Sequence, residues 1–555
     1  MARQESYALG LDFGTESVRA LLAGTRSGRV AGEAVVNYPH GVITDRLPGG
    51  KTPLGRDWAL QHPDDYLRCM TRATKQAVKA AHIRPDRVCG IGVSFTACTM
   101  LPTTADGTPL CMLPKFAGRP NAWVKLWKHH ASQPQADKMN ALAARRRQAW
   151  LKRYGGIISS EWFFPKALQA LDEDPAVYRA ADVFIEAGEW LVWQLTGRLT
   201  RSTCHGGYKQ CWHPKTGCPK PAFLRGLHRD FANFVRDKLP GDRLAPGTRA
   251  GELTAAMARR LGLPAGIGVS ASIIDAHAAV PGAAVAGPDV MVMVMGTSTC
   301  HMLMSKTEKL VEGISGVVPD GILPGYFGYE AGQVAVGDIF AWYVDHACPD
   351  YVLREATRRR MDVHDYLSSE AARLRPGESG LLALDWWNGN RTPFVDANLS
   401  GLIVGLTLAS RPHEIYRALV EATAFGTMRI VELFDNAGLP TESLVACGGI
   451  AQKNPMLVQV YADVTGRPIS VAASPNASSL GAAILGAVAA GSKAGGHDSA
   501  AAAVRVMCQK PSATYRPSKK HHAIYRKLYT DYKRLSDHFG RYADPVMRNL
   551  WLAGR

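Results

Sequence analysis

No apolar run in this sequence is long enough to cross a bilayer. The longest stretch of small apolar residues, Leu480 to Ala490, is rich in alanine and glycine. It falls well short of the roughly 20 residues a spanning helix needs. Nor does the N-terminus carry the basic-then-apolar pattern of a leader: it opens on polar residues, and the first apolar segment already holds Asp12 and Glu16. These absences predict a cytoplasmic protein with no membrane partner. Paired cysteines are missing too. The 11 cysteines are dispersed, odd in number and without a histidine pattern beside them, which argues against a disulfide framework and against a zinc site. Cys98 and Cys300 fall in loops of interest below, but read as small packing residues. A basic helix with interleaved aromatics is also absent. The net charge is +17, yet its carriers are spread out, with short clusters at Arg145–Arg147, Lys519–Lys520 and Arg526–Lys527. No nucleic-acid partner is expected; a basic surface that favours anionic substrates is.

What the chain does contain is a repeated turn. Residues 290 to 304 run from an apolar strand through Gly296, Thr297, Ser298 and Thr299 into a second apolar strand. Near the start, Tyr7 to Leu22 has the same plan, with Asp12 just before Gly14, Thr15 and Ser17. At such a turn, backbone N–H groups converge on an anion and small hydroxyls add hydrogen bonds. One copy would be an ordinary hairpin. Two copies half a chain apart suggest two similar halves facing one nucleotide. The 555 residues, 46% of them hydrophobic and 20% charged, are too many for one core and agree with two large domains.

Between and after the turns, strands alternate with helices, which makes the fold class α/β with mixed sheets. A third strand follows over 29–37, a Gly- and Pro-rich loop over 40–57, and a helix over 63–81 opening on Asp64 and Asp65. Residues 88–110 read as a strand followed by a hairpin, with Ser94 to Thr99 at a strand end, where open α/β sheets place ligands. Residues 118–150 read as basic helix, 185–197 as an amphipathic helix ended by Gly197, and 200–221, including Lys209, as irregular. The segment 266–281 moves from strand to loop and carries Asp275 and His277. Ala286 to Pro288 is the expected domain boundary. Further on, Glu330 and Gln333 lie at a strand-to-helix change, and 384–393 is a turn-rich aromatic loop. A long helix covers 412–436. Gly448 and Gly449 then end a strand in a turn that lets a flat ring approach the backbone.

Seven blocks carry a resemblance: GLDFGTESVRALL, YGGIISSEW, MGTSTC, EAGQVAVGDIFAW, LDWWNGNRTP, EATAFG and GGIAQKNP. In this order they make the span from about Leu9 to Ala490 resemble the FGGY carbohydrate kinases, within the actin-like ATPase fold. The resemblance implies two actin-like ATPase (ribonuclease H-like) domains with mixed sheets flanked by helices and a cleft between them. Residues 1–286 would form the N-terminal sugar-binding domain, 287–492 the C-terminal ATP-binding domain and 493–555 a helical extension. It also implies Mg–ATP-dependent phosphorylation of a ketopentose, expected to be ribulose, at its terminal 5-hydroxyl, and it leaves room for a homodimer.

Carried onto this chain, Asp275 is the catalytic base, and Ala97, Lys209, Asp275 and Glu330 touch the sugar. Thr15 lies beside the transferred phosphate, and Gly296, Thr297, Ser298 and Thr299 hold the ATP phosphates. Gly448, Gly449 and Asn454 form the adenosine turn, and Asp12 is the acid near Mg²⁺. Without the resemblance, Asp275 fits a helix N-cap equally well and Lys209 reads as solvent-exposed, while Glu330 could be a surface acid but its place between Gly328 and Gly332 favours a cleft. Ketopentose kinases of the family tend to carry Asp at position 94; any effect of Ser94 is expected on sugar preference. A polypeptide-binding ATPase would need a client domain that 493–555 does not resemble. The retention of Asp12, Asp275 and the glycine loops speaks against an idle sugar sensor.

Overall fold

The two apolar-glycine-apolar stretches each open a sheet. Tyr7–Phe13 and Ser17–Gly24 pair antiparallel, placing Asp12 opposite Arg19. Val290–Met295 and Thr299–Ser305 do the same, with Met295 opposite Thr299. The computed structural model describes residues 4–50, 53–541 and 544–553.

Both sheets are built in one order. In the first, Val30–Asn37, Ser17–Gly24 and Tyr7–Phe13 are antiparallel; Val88–Phe95 and then Gly268–Ser270 add in parallel, and Arg249–Glu252 closes antiparallel. In the second, Phe327–Gln333, Thr299–Ser305 and Val290–Met295 are antiparallel; Ser443–Cys447 and Ile469–Val471 follow in parallel, and Ala513–Tyr515 closes antiparallel. The strand Gly316–Pro319 extends the second sheet at its other edge. The repeat suspected from two turns is therefore a repeat of topology. Val88–Phe95 is buried along its whole length, as a parallel strand covered on both faces should be.

Two helices of small residues fill the space between the sheets. Asp275–Gly282 and Ala477–Ala490 cross so closely that a Cβ on Gly481 would lie 1.7 Å from the Ala278 carbonyl oxygen, and one on Gly282 1.9 Å from that of Ala477. Ala477–Ala490, although late in sequence, rests on the first sheet: a Cβ on Gly92 would sit 1.8 Å from the Ala482 carbonyl oxygen. The C-terminal helix Lys519–Ser536 packs Tyr525, Tyr529 and Tyr532 into the core of the second half.

Several local expectations change. Residues 118–150 are not one helix. They hold a short strand, Val124–Lys125, in a separate four-stranded sheet, and only Gln133–Arg145 is α-helical. Met100–Thr103 belongs to that same small sheet rather than pairing with Val88–Phe95. Ala187–Thr196 is buried on nearly every side instead of amphipathic. The region 200–221 is partly regular: Lys209 ends a buried helix, Thr203–Lys209. Asp275 opens a helix rather than a loop. No helix among the described residues is long and apolar enough to cross a membrane.

Candidate active site

Asp12 lies near the end of the central strand of the first sheet, directly opposite Ser94 on the parallel neighbour. That register lets the Ser94 hydroxyl donate to one carboxylate oxygen of Asp12 at 2.7 Å, while the Ser479 hydroxyl reaches the other at 3.4 Å. Burial raises the Asp12 pKa, and the Ser94 hydrogen bond, Arg19 and Ser479 pull it back.

Asp275 is the first residue of its helix; Ile274 occupies the cap position. The Ala276 N–H donates to its carboxylate at 2.7 Å, yet burial and the negative charge of Asp12 lift it to about 7. The two acids are thus neighbours in a poorly solvated space, and one is poised to exchange a proton near neutrality.

Lys209 and Glu330 come from opposite halves and meet. The ammonium donates to both carboxylate oxygens, at 3.1 and 3.0 Å, with the side chains only 6% and 8% exposed. Burial is the largest single influence and opposes both charges, but the surrounding opposite charges and the shared hydrogen bonds together outweigh it. Lys209, chiefly through Glu330, is raised to about 12, and Glu330, chiefly through Lys209, is held below its ordinary value. His277 lies 3.5 Å from Glu330 and against the Tyr208 ring; burial lowers it to about 4, so its imidazole is neutral at pH 7. The ammonium also sits 5.5 Å from the centre of the Trp162 ring. Ala97, half-buried, packs between the core of the first half and the cluster around Ile274.

The turns are closed by their own backbones. Gly14 N–H donates to Ser17, and Gly296 N–H to Ser298, both at 2.9 Å. Thr15 is further held by Trp127, which donates to its hydroxyl at 3.0 Å, and by Gln61, which donates to its carbonyl at 2.7 Å. In the second turn Gly296 and Thr297 are exposed and Ser298 is half-buried. Thr299 departs from its neighbours: it is fully buried, and its hydroxyl has no partner among the described residues.

Gly448 has φ 97°, and a Cβ there would fall 2.2 Å from the Met295 carbonyl oxygen, so the chain needs glycine to bring this turn against the phosphate-type loop. A Cβ on Gly449 would meet open space. The Asn454 side chain is already engaged at both ends. It caps the helix Pro455–Thr465 through Leu457 N–H at 3.0 Å and donates to Ser368 at 3.0 Å.

Ser479, Trp127 and Gln61 were not legible as site residues. A serine in an alanine-rich helix and a single tryptophan or glutamine carry no spacing signal; only the tertiary fold brings them to Asp12 and Thr15.

Residues 7–282 match the model of the FGGY family of carbohydrate kinases, N-terminal domain, and residues 291–490 match its C-terminal domain. A ribulokinase from Anoxybacillus flavithermus is 50% identical over 546 residues, covering 98% of this chain and 97% of that protein. Another from Geobacillus thermodenitrificans is 49% identical, with the same coverage. The solved xylulose kinase of Rhodospirillum rubrum superposes with a TM-score of 0.77 at 20% identity, over 97% of this chain and 99% of that one, a likeness of fold.

Proposed function

We propose, for a chain that belongs to the FGGY family of carbohydrate kinases, that it transfers the terminal phosphoryl group of ATP to the 5-hydroxyl of ribulose. Near half identity over almost the whole chain to proteins named ribulokinase supports the choice of sugar. The observation that carries the chemistry is Asp275, a carboxyl lifted to about 7 beside Asp12, where the two halves meet.

In this reading Asp275 accepts the proton of the attacking hydroxyl as the bond to phosphorus forms. Phosphoryl transfer demands mainly positioning and charge neutralisation, so one weak base is sufficient. Lys209 and Glu330 hold the sugar oxygens from both sides, with Ala97 leaving room beside them. The backbone of the turn from Gly296 to Thr299, closed by the Gly296 N–H on Ser298, presents the N–H groups of Thr297 and Ser298, and the hydroxyls of Thr15, Thr297 and Ser298 add donors toward the phosphates. Thr299 contributes through its backbone, its side chain being buried. Gly448 and Gly449 bring bare backbone against the adenosine, while Asn454 shapes that turn as a helix cap. Asp12 fits a divalent cation, Mg²⁺ in this proposal: its carboxylate is poorly solvated, raised by burial and faced by a second acid, a donor set that a cation relieves. A cation bound there supplies charge neutralisation to the phosphates. Domain closure would exclude water and suppress idle ATP hydrolysis. The reading places the enzyme in the cytoplasm.

The test is ADP release from Mg–ATP over L-ribulose, D-ribulose, ribitol, xylulose and glycerol, with the product identified by phosphorus NMR. A ribulose giving the 5-phosphate is the expected result. Turnover confined to xylulose or glycerol would overturn the sugar assignment.

A further inference from the structure

Two of the sequence blocks, the one ending at Glu161 and Trp162 and the loop 384–393, have taken little part so far. Each brings a charge near the Lys209–Glu330 pair: Arg391 from the loop, and Glu161 beside the Trp162 ring that faces the Lys209 ammonium. Arg391 lies across the strand Phe327–Gln333: a Cβ on Gly332 would meet its Cδ and Nη1, each at 3.4 Å. Gly332 and Glu330 are two apart on one strand and so share a face. The guanidinium therefore occupies the same face as the carboxylate that grips Lys209. A side chain at position 332 would obstruct it.

The loop is fixed, not loose. Thr392 accepts a hydrogen bond from Gly332 N–H at 3.2 Å, and Asn390 from Phe394 N–H at 3.0 Å. Asp385 takes hydrogen bonds from Gln333 at 2.7 Å and Tyr532 at 2.8 Å, and Asp396 takes one from Arg548 at 2.9 Å. The C-terminal helices thus brace the loop from behind.

The Arg391 guanidinium itself is half-buried, and among the described residues no hydrogen-bond or ion-pair partner touches it. Burial opposes its charge, while the carboxylate of Glu161, on the other half, and that of Glu330 favour it. Glu161 adjoins Trp162, the ring beneath the Lys209 ammonium. A planar fork with unused donors, held rigidly in a cleft, is a binding element. Glu161 and Glu330 balance the charges of Arg391 and its neighbour Lys209, so the surroundings offer no surplus positive charge to a polyanion such as a triphosphate and suit a neutral polyhydroxy ketone.

We propose that Arg391 is a specificity-determining residue for the sugar, donating hydrogen bonds to adjacent oxygens of the ketopentose held by Lys209 and Glu330. Glu161, across the cleft, is a positioning residue that orients the guanidinium. The proposal rests on the ribulose-kinase reading above.

The experiment measures kcat and KM for ribulose and for ATP, ribulose binding by calorimetry without ATP, and thermal unfolding. It compares the wild type with Arg391→Gln, Arg391→Lys, Glu161→Gln and the Arg391→Gln/Glu161→Gln double variant. Arg391→Gln is expected to raise the ribulose KM at least about tenfold and leave the ATP KM within about twofold. Arg391→Lys keeps length and charge but loses the fork, and is expected to show the same sugar-selective defect; it decides the matter if Arg391→Gln fails to fold. Glu161→Gln should give a smaller rise, and the double variant should be no worse than Arg391→Gln alone. A folded Arg391 variant with unchanged ribulose KM and binding would overturn the proposal, as would a defect confined to ATP. If the wild type itself shows no ribulose-dependent ADP release, the function reading falls first and this one with it.

Discussion

Asp275 combines two opposing environments: a helix N-terminus that favours a carboxylate, and a half-buried, poorly solvated position beside Asp12 that disfavours it. The second prevails and lifts it to about 7. A protonated carboxyl cannot accept the sugar proton, so activity is expected to fall as pH drops. A cation at Asp12 removes part of that lift, so in Mg–ATP kcat/KM should lose about tenfold per pH unit below a midpoint under about 7, and above it should level off. A flat pH profile between 5 and 8 would contradict the role. Ser94 is a second residue-scale case. The resemblance tied Ser94 to sugar preference, whereas its hydroxyl donates to Asp12. Ser94→Ala should raise the Asp12 pKa further, increase the Mg²⁺ concentration needed for half-maximal rate, and leave the ribulose KM unchanged. A Mg²⁺ titration beside a ribulose titration reads both. At this scale the sequence placed Asp12 near a strand end, where the structure has it, but it left Asp275 in a loop and gave that acid a role only through the resemblance. It concealed Lys209, which alone reads as a surface lysine, since its burial depends on a carboxylate 121 residues away.

Among the elements, the hairpins were legible because a buried strand broken by glycine has few alternatives. The helix Thr203–Lys209 was not, because Gly206 and Gly207 disguise it as loop. The structure gives the reason for one of these glycines: a Cβ on Gly207 would fall 2.1 Å from Cγ1 of Val318, on the strand Gly316–Pro319. The same close approach governs Ala477–Ala490 on the first sheet. Gly92→Ala would drive a methyl into the Ala482 carbonyl oxygen, backbone against backbone, and neither side can yield cheaply. The expected loss is about 1–3 kcal/mol or more by urea unfolding. An unchanged midpoint would mean that the helix does not pack as described.

On the scale of the whole molecule, the sequence suggested two halves but not how they are joined. Strand order depends on tertiary pairing, and nothing in residues 477–490 announces that a late helix covers the early sheet. The halves are joined by that helix, by its crossing with Asp275–Gly282 and by the Lys209–Glu330 pair. Removing one partner of a buried ion pair leaves the other charge unpaired, so Lys209→Met is expected to cost about 3–5 kcal/mol. Pairing it with Glu330→Gln should recover part of that loss, because no lone charge remains. Thermal or urea unfolding of the single and double variants measures the recovery. Both variants should also lose sugar binding, since the same atoms hold the substrate in this account.

The most direct test of the central claim is ribulose-dependent ADP release from Mg–ATP, measured side by side in the wild type and in Asp275→Asn. The expected result is turnover in the wild type and a loss of about 10²–10⁴-fold in the variant, with ribulose still bound. Full activity in Asp275→Asn, or no response to ribulose in the wild type, would contradict it.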